Sequence, residues 1–318
     1  MSFYDELMQD FHKMLKFRNS AGYATATYIS SVTPFIEYCG SNYPQAECLT
    51  KEMVDSWLKH YPYKTDNTRS AFISLLRQYA KFINALGKKA FIPDEDYTIL
   101  RQPYVPYVFT DAELSALFDS IDGISSGRVR RFHRELVLPV MFRMMYCCGM
   151  RPSEPLRLRS EDVSLATGDV YIRQSKKHKD RHIILSNDML TLCNAYRSLS
   201  GEGGWFFQRD DGKPYTTNWM TLHFHLCWEK SGLDKHGNPR PYDLRHAFAS
   251  RNLMRWIDEG SDVMELMPYL SAYMGHSELS STLYYVYLLP ERLRKSAGID
   301  WELFSSVYKQ EGGQDGEN

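Results

Sequence analysis

The chain has 318 residues and a formal net charge of −1, with 43% hydrophobic and 24% charged residues. This length is sufficient for two domains with separate cores, and the composition is that of an ordinary globular protein. It excludes a strongly basic, histone-like binder, although a local basic patch can still bind nucleic acid. The longest apolar stretch, residues 136–150, contains Arg143 and is too short to span a membrane. The N-terminus lacks the pattern of a signal peptide.

Residues 1–92 have the apolar spacing of amphipathic helices, with hydrophobic side chains three and four positions apart. Four helices are predicted, beginning near Phe3, Thr25, Thr50 and Thr65. Thr50 is a good N-cap, and Gly87 is a good C-cap for the fourth helix. We therefore expect a small helical bundle.

Residues 92–110 contain three prolines and few helical features, which predicts an extended linker. Thr110 and Glu113 then form a capping box, the usual start of a helix. A second domain is therefore expected to begin near residue 107.

The second domain is predicted to be mostly helical, with one small sheet. Residues 135–148 form a strongly apolar helix, and residues 169–174 and 181–185 alternate as strands around a polar turn. The remaining predicted helices are 217–231, 242–259, 263–274 and 280–288.

Several residues in this domain suit cleavage of a phosphodiester. No compact carboxylate cluster is available to hold Mg²⁺, and His223 and His225 lack zinc-ligand partners. Arginine is the alternative source of charge, because its planar guanidinium matches two phosphate oxygens. Arg151 follows a glycine turn, with Glu154 able to fix it, and Arg245 shares a helix face with Tyr242.

The nucleophile and the acid are less certain from residue type alone. Tyr285 has Tyr284 and Tyr287 as neighbours, and a tyrosine-rich helix is more often part of a core. His276 follows a glycine and can donate to a phosphate oxygen. Lys176 lies in the polar turn, where its neighbours Lys177, Lys179 and Arg181 leave the choice open and a solvated basic turn is the alternative.

The order of these residues resembles the tyrosine recombinase family, or phage-type integrases, of the two-domain Xer-like or transposon type. Residues 149–154 (GMRPSE) match the family's GxRxSE, and residues 242–246 (YDLRH) correspond to HxLRH. Residues 274–285 match its LGHS ending, which selects Tyr285 as nucleophile. The family's hairpin lysine lies five residues before an arginine, which selects Lys176 given Arg181.

One departure concerns Tyr242, which stands where the family usually has histidine. A phenol can still donate a hydrogen bond to phosphate but carries no positive charge near neutral pH. Either Tyr242 is a neutral donor or His246 has taken the role. The spacing to Arg245 favours Tyr242.

The resemblance implies a fold, a domain division and a reaction. We expect a mainly α protein: a four-helix, SAM-like core DNA-binding domain with its linker (1–102), an α-rich catalytic domain with a small sheet (107–298), and a C-terminal helix and tail (299–318). The reaction breaks and rejoins DNA through a 3′-phosphotyrosyl intermediate at Tyr285, and it needs no cofactor or metal. Arg151, Arg245, His276 and Tyr242 would hold the phosphate, and Lys176 would act as acid.

The same resemblance implies partners and a location. These are double-stranded DNA with specific recombination sites, a homotetramer on synapsed DNA, and the nucleoid-associated cytoplasm of a bacterial or phage host. The alternatives are a DNA-relaxing enzyme like the type IB topoisomerases, or an inert DNA-binding protein that keeps the fold. The expected DNA contacts are Lys64, Arg69, Arg77, Lys81, Arg128, Arg131, Lys177 and Lys179.

Overall fold

The computed structural model describes residues 2–97, 105–125, 133–173, 180–276 and 278–287. The chain divides into two compact units, residues 1–104 and residues 105–318. None of the helices in the described ranges is long and apolar enough to cross a membrane.

The described part of the first unit contains four α-helices: α1 (Phe3–Ser20), α2 (Ala26–Asn42), α3 (Lys51–His60) and α4 (Asp66–Ala85). Threonine hydroxyls cap the last two, because Thr50 and Thr65 accept the backbone N–H groups of Met53 and Thr68 at 3.4 and 3.2 Å. Side chains from all four helices form one core. The predicted four-helix arrangement is confirmed.

The second unit has its own core, which is built from helices and one hairpin. Its described elements are α5 (Asp111–Asp122), α6 (Arg134–Cys148), α7 (Ser153–Leu156), β1 (Asp169–Ile172), β2 (Arg181–Ile184), α8 (Asn187–Ser200), α9 (Thr217–Lys230), α10 (Pro241–Asp258), α11 (Val263–Met274) and α12 (Ser280–Tyr287). The predicted fold class, mainly α with one small sheet, is confirmed. Helix α8 is an addition to the predicted elements.

The sheet is a two-stranded antiparallel hairpin in which Asp169 pairs with Ile184 and Ile172 pairs with Arg181. Along β2, Arg181 and Ile183 are buried, whereas His182 and Ile184 are exposed. The predicted turn, with Lys176, Lys177 and Lys179, lies outside the described residues, and so do Arg128 and Arg131.

Helix α6 lies at the centre of the second unit. Leu138, Met141, Phe142 and Met145 on this helix are fully buried. The helix packs against α5, α8 and α10, and α10 in turn contacts α9, α11 and α12. This packing brings the C-terminal ends of α6 and α11 to the side of α10.

Helix α6 ends at Gly149, which adopts a left-handed conformation with φ of +61°. Glycine is required there for two reasons, since other residues are strained at positive φ and a Cβ would lie 2.5 Å from the ring of Phe248. We expect Gly149→Ala to lower the free energy of unfolding of the second unit by about 3 kcal/mol. Urea denaturation followed by circular dichroism measures this loss.

Gly232 provides the matched control. Its φ is +77°, and the space that a Cβ would occupy has no other atom within 4 Å, so Gly232→Ala costs only the backbone strain, about 1 kcal/mol. Equal losses in the two variants would show that the contact with Phe248 carries no energy.

Candidate active site

The Arg245 side chain is fully buried on α10. Its Nη1 donates to the carbonyl of Gly149 at 2.5 Å, and its Nη2 donates to the carbonyl of Met274 at 2.8 Å. These carbonyls lie at the C-terminal ends of α6 and α11, where helix carbonyls lack intrahelical partners and carry partial negative charge. Two helix ends therefore hold this guanidinium without a carboxylate contact among the described residues.

Arg151 is held in a related way just beyond the end of α6. Its Nη2 donates to the carbonyl of Gly275 at 2.6 Å, and its Nη1 donates to Glu154 Oε1 at 2.9 Å. The backbone N–H of Arg151 donates to the other oxygen of Glu154 at 2.7 Å. The two guanidinium groups lie close together, because Met274 and Gly275, whose carbonyls accept from Arg245 and Arg151, are consecutive residues. Burial lowers the pKa of Arg245, and repulsion from Arg151 lowers it further.

Glu154 is almost fully buried and also binds Arg181, the first residue of β2. Arg181 donates to both carboxylate oxygens, at 2.7 and 2.8 Å. Burial acts to raise the pKa of Glu154, but the hydrogen bonds and charge of Arg181 outweigh it, so the pKa is lowered. The sequence motifs did not identify Arg181 as part of the site. The available signal was its position on the inward face of β2, shared with Ile183.

His276 follows the left-handed Gly275 that ends α11. Its Nε2 lies 2.9 Å from Arg245 Nη2, and its Nδ1 lies 2.6 Å from the hydroxyl of Thr282. Because a guanidinium only donates, Nε2 accepts, and the ring proton is on Nδ1. Burial and the nearby arginines lower the pKa of His276 to about 3, so the ring is neutral at physiological pH.

Tyr285 lies on α12, one turn after Thr282, and is 2% exposed. Its ring stacks on that of His276, with centroids 6.0 Å apart. Burial raises the pKa of the Tyr285 hydroxyl to about 12, although the positive charge of Arg245 opposes this shift. The hydroxyl is therefore protonated at neutral pH and lies beside the arginine pair.

Tyr242 and His246 both lie at the site, one helical turn apart on α10. The His246 ring is 4.9 Å from the Tyr242 ring and 5.3 Å from the Tyr285 ring, measured between centroids. Burial and the charge of Arg245 lower the pKa of His246 to about 4. Its Nδ1 is buried and makes no hydrogen bond within the described part of the chain.

The structure thus brings together five of the six predicted catalytic residues, Arg151, Tyr242, Arg245, His276 and Tyr285, within the second unit. The sixth, Lys176, lies outside the described ranges. The predicted DNA contacts Lys64, Arg69, Arg77 and Lys81 lie in the first unit.

His276 gives a pH-dependent contribution to stability. Its folded-state pKa of about 3 lies below the ordinary value of 6.5, so protons bind preferentially to the unfolded chain. The contribution is complete above pH 6.5 and falls as the pH drops, by about 2 kcal/mol at pH 5. We expect His276→Gln to remove this part of the pH dependence of the free energy of unfolding, measured by urea denaturation from pH 8 to pH 5.

The same denaturation series on the wild-type protein gives the reference slope. A slope that is the same in wild type and His276→Gln would mean that His276 is protonated in the folded protein.

Comparison with known proteins agrees with this geometry. The model of the phage integrase family matches residues 108–292. A putative integrase/recombinase, y4rE of Sinorhizobium fredii, is 26% identical over 287 residues, covering 86% of this chain and 89% of that protein. The tyrosine recombinase XerA of Thermococcus kodakarensis is 24% identical over 302 residues, covering 93% and 95% of the two chains.

Solved structures show the same fold. XerH in its post-cleavage complex with palindromic difH substrate has a TM-score of 0.60 at 20% identity, covering 87% of this chain and 79% of that one. A lambda integrase dimer bound to a COC′ core site has a TM-score of 0.63 at 17% identity, covering 90% and 95%. Because the matching family model spans more than half of the sequence, this chain belongs to the phage integrase family.

Proposed function

We propose that this protein is a site-specific DNA recombinase that breaks and rejoins strands through a 3′-phosphotyrosyl intermediate at Tyr285. One observation carries the proposal: the Tyr285 ring stacks on a neutral His276 whose Nε2 contacts the buried Arg245. A tyrosine beside fixed positive charge suits attack on a phosphodiester better than it suits a packing role.

In the proposed reaction, the Tyr285 oxygen forms a bond to the scissile phosphorus while the bond from phosphorus to the 5′ oxygen breaks. Lys176, outside the described residues, gives the proton that the leaving 5′ oxygen needs. The 5′ hydroxyl of a partner strand then attacks the phosphotyrosine and restores a phosphodiester. One ester replaces another, so the exchange consumes no ATP.

Arg151 and Arg245 would stabilise the charge on the non-bridging phosphate oxygens. Their hydrogen bonds to the Gly275 and Gly149 carbonyls fix them before DNA arrives, so little reorganisation is needed during the reaction. One well-placed donor contributes about 3 kcal/mol to such a transition state, or roughly a hundredfold in rate.

The phenolic proton of Tyr285 must also leave. His246 is the candidate acceptor, because its ring lies against the Tyr285 ring and its Nδ1 has no hydrogen-bond partner among the described residues. A bound phosphate, being negative, would raise the pKa of His246 from the low value that burial and Arg245 give it. Tyr242 would then act as a neutral donor to phosphate, the role that the recombinase motif usually gives to histidine.

We propose that DNA is held by both units, with residues 1–102 as the core-binding domain and linker and residues 107–298 as the catalytic domain. In the first unit, Lys64, Arg69 and Lys81 lie before or along α4, whose N-terminus suits phosphate contacts. Arg77 donates to the carbonyls of Pro93 and Asp94 at 2.7 and 2.8 Å, which gives its guanidinium a role within the unit.

The remaining contacts are proposed from sequence: Arg128, Arg131, Lys177 and Lys179. The proposed partner is double-stranded DNA carrying specific recombination sites, and the proposed assembly is a homotetramer on two synapsed sites. Support for the DNA partner comes from the relatives: a XerH complex with difH and a lambda integrase dimer on a core site. Residues 299–318, proposed as a C-terminal helix and tail, lie outside the described residues.

A nicked-duplex assay tests the proposed function. The substrates are nicked duplexes tiled through the DNA that flanks the gene, so that cleavage releases a short strand and traps the protein on DNA. We expect wild type to form a covalent adduct that survives denaturation, because the released 5′ hydroxyl diffuses away. Tyr285→Phe should form none, since it lacks the attacking oxygen, as measured on denaturing gels.

Tyr284→Phe is the matched control, one position away on α12, and should retain the adduct. Adduct formation by Tyr285→Phe would rule out the assigned nucleophile. Relaxation of supercoiled plasmid without strand exchange between two sites would favour the topoisomerase-like alternative, and the absence of any adduct would favour the inert DNA-binding protein.

A further inference from the structure

Arg181 has no role in the proposed reaction, yet it is hydrogen-bonded to two segments that hold the site residues. It is 9% exposed and donates to both oxygens of Glu154, while its Nε donates to the carbonyl of Tyr273 at 2.8 Å. These bonds connect the first residue of β2 to α7 and to the last turn of α11. A single side chain thus joins three elements that are distant in sequence.

One of these connections leads to Arg151. Glu154 Oε1 accepts from both Arg151 Nη1, at 2.9 Å, and Arg181 Nη1, at 2.7 Å. Arg181 therefore fixes the carboxylate with two hydrogen bonds in a planar fork. Without Arg181, Glu154 would keep only its two hydrogen bonds from Arg151, so the carboxylate would no longer be fixed independently of the guanidinium that it orients.

The other connection leads to the turn that carries His276. Besides the bond to the Tyr273 carbonyl, the Arg181 side chain packs directly against Gly275, where a Cβ would come within 2.9 Å of Arg181 Cδ. The Gly275 carbonyl is the group that accepts from Arg151. Arg181 therefore supports both partners of Arg151, the carboxylate and the glycine carbonyl.

We propose that Arg181 is a positioning residue that acts through Glu154 and the 273–276 turn to orient Arg151 for the scissile phosphate. This inference rests on the proposed recombinase function. Because β2 directly follows the turn predicted to carry Lys176, Arg181 also anchors the base of that hairpin to the arginine pair. The planar fork matters as well as the charge, so lysine is a poor substitute.

Arg173 is a matched control on the same hairpin. It binds Asp162 through Nε, at 2.8 Å to each oxygen, and through Nη2 at 2.6 Å. Like Arg181 with Glu154, this is an arginine–carboxylate pair. Unlike Arg181, the Arg173 side chain is 50% exposed, and its second carboxylate partner is the exposed Glu161. Neither carboxylate is hydrogen-bonded to Arg151 within the described ranges.

The test is a double-mutant cycle on the cleavage-rate constant of the DNA-bound protein. It uses whichever nicked duplex from the flanking DNA the wild-type protein cleaves. We expect Arg181→Lys to cleave about a hundredfold more slowly, the size of effect that a small misplacement produces. The dissociation constant for DNA should stay within about threefold of wild type, because the substitution keeps the charge.

The diagnostic result comes from the Arg151→Lys background. If Arg181 acts through Arg151, adding Arg181→Lys to Arg151→Lys should slow cleavage by no more than about threefold, whereas independent effects would multiply. Arg173→Lys should leave the rate within about threefold of wild type in both backgrounds.

Glu154→Gln is the second variant, to be used if Arg181→Lys fails to fold. It weakens the hydrogen bonds between Arg181 and residue 154 and should slow cleavage on a similar scale. The proposal is overturned if Arg181→Lys and Glu154→Gln both cleave at the wild-type rate, if the loss is equal in the two backgrounds, or if Arg173→Lys shows the same loss. Failure of the wild-type protein to form an adduct on any duplex would instead remove the proposed function.

Discussion

The structure of the site depends on a fully buried guanidinium. Arg245 has no carboxylate partner among the described residues, and it is held by the Gly149 and Met274 carbonyls at the ends of α6 and α11. A buried charge is costly unless it is hydrogen-bonded, so the two helices must end at these points for Arg245 to be accommodated. The left-handed glycines after α6 and α11 make these endings possible.

The same glycines connect the rest of the site. Gly149, two residues before Arg151, supplies a carbonyl to Arg245 at the end of α6. Gly275 supplies a carbonyl to Arg151 at the end of α11. His276 accepts from Arg245 and donates to Thr282, which places α12 and Tyr285 in contact with the pair. Helix termini, rather than flexible side-chain contacts alone, thus define the geometry of the arginine pair.

The motifs in the sequence single out most of the residues that the structure brings together, since Arg151, Arg245, His276 and Tyr285 each lie in a local pattern. Arg181 was recognised only as a landmark for Lys176. Its bonds to Glu154 and Tyr273 join residues far apart in the chain, and spacing cannot report such contacts. The protonation of His276 was equally hidden, because the tautomer depends on Arg245 and Thr282 together.

The predicted helices were also correct where capping and periodicity agreed. Helix α8 was missed, although Ser186 caps it and its buried residues Met189, Cys193 and Tyr196 lie at helical spacing.

The most direct test is a crystal structure of the protein covalently trapped on cleaved DNA. We expect a phosphotyrosine at Tyr285 with Arg151 and Arg245 both donating to its non-bridging oxygens. The bonds from Arg245 to Gly149 and from Arg151 to Gly275 should persist in that complex. A phosphate bound away from the arginine pair, or an Arg245 that leaves both helix ends to reach it, would contradict the role assigned to the buried guanidinium.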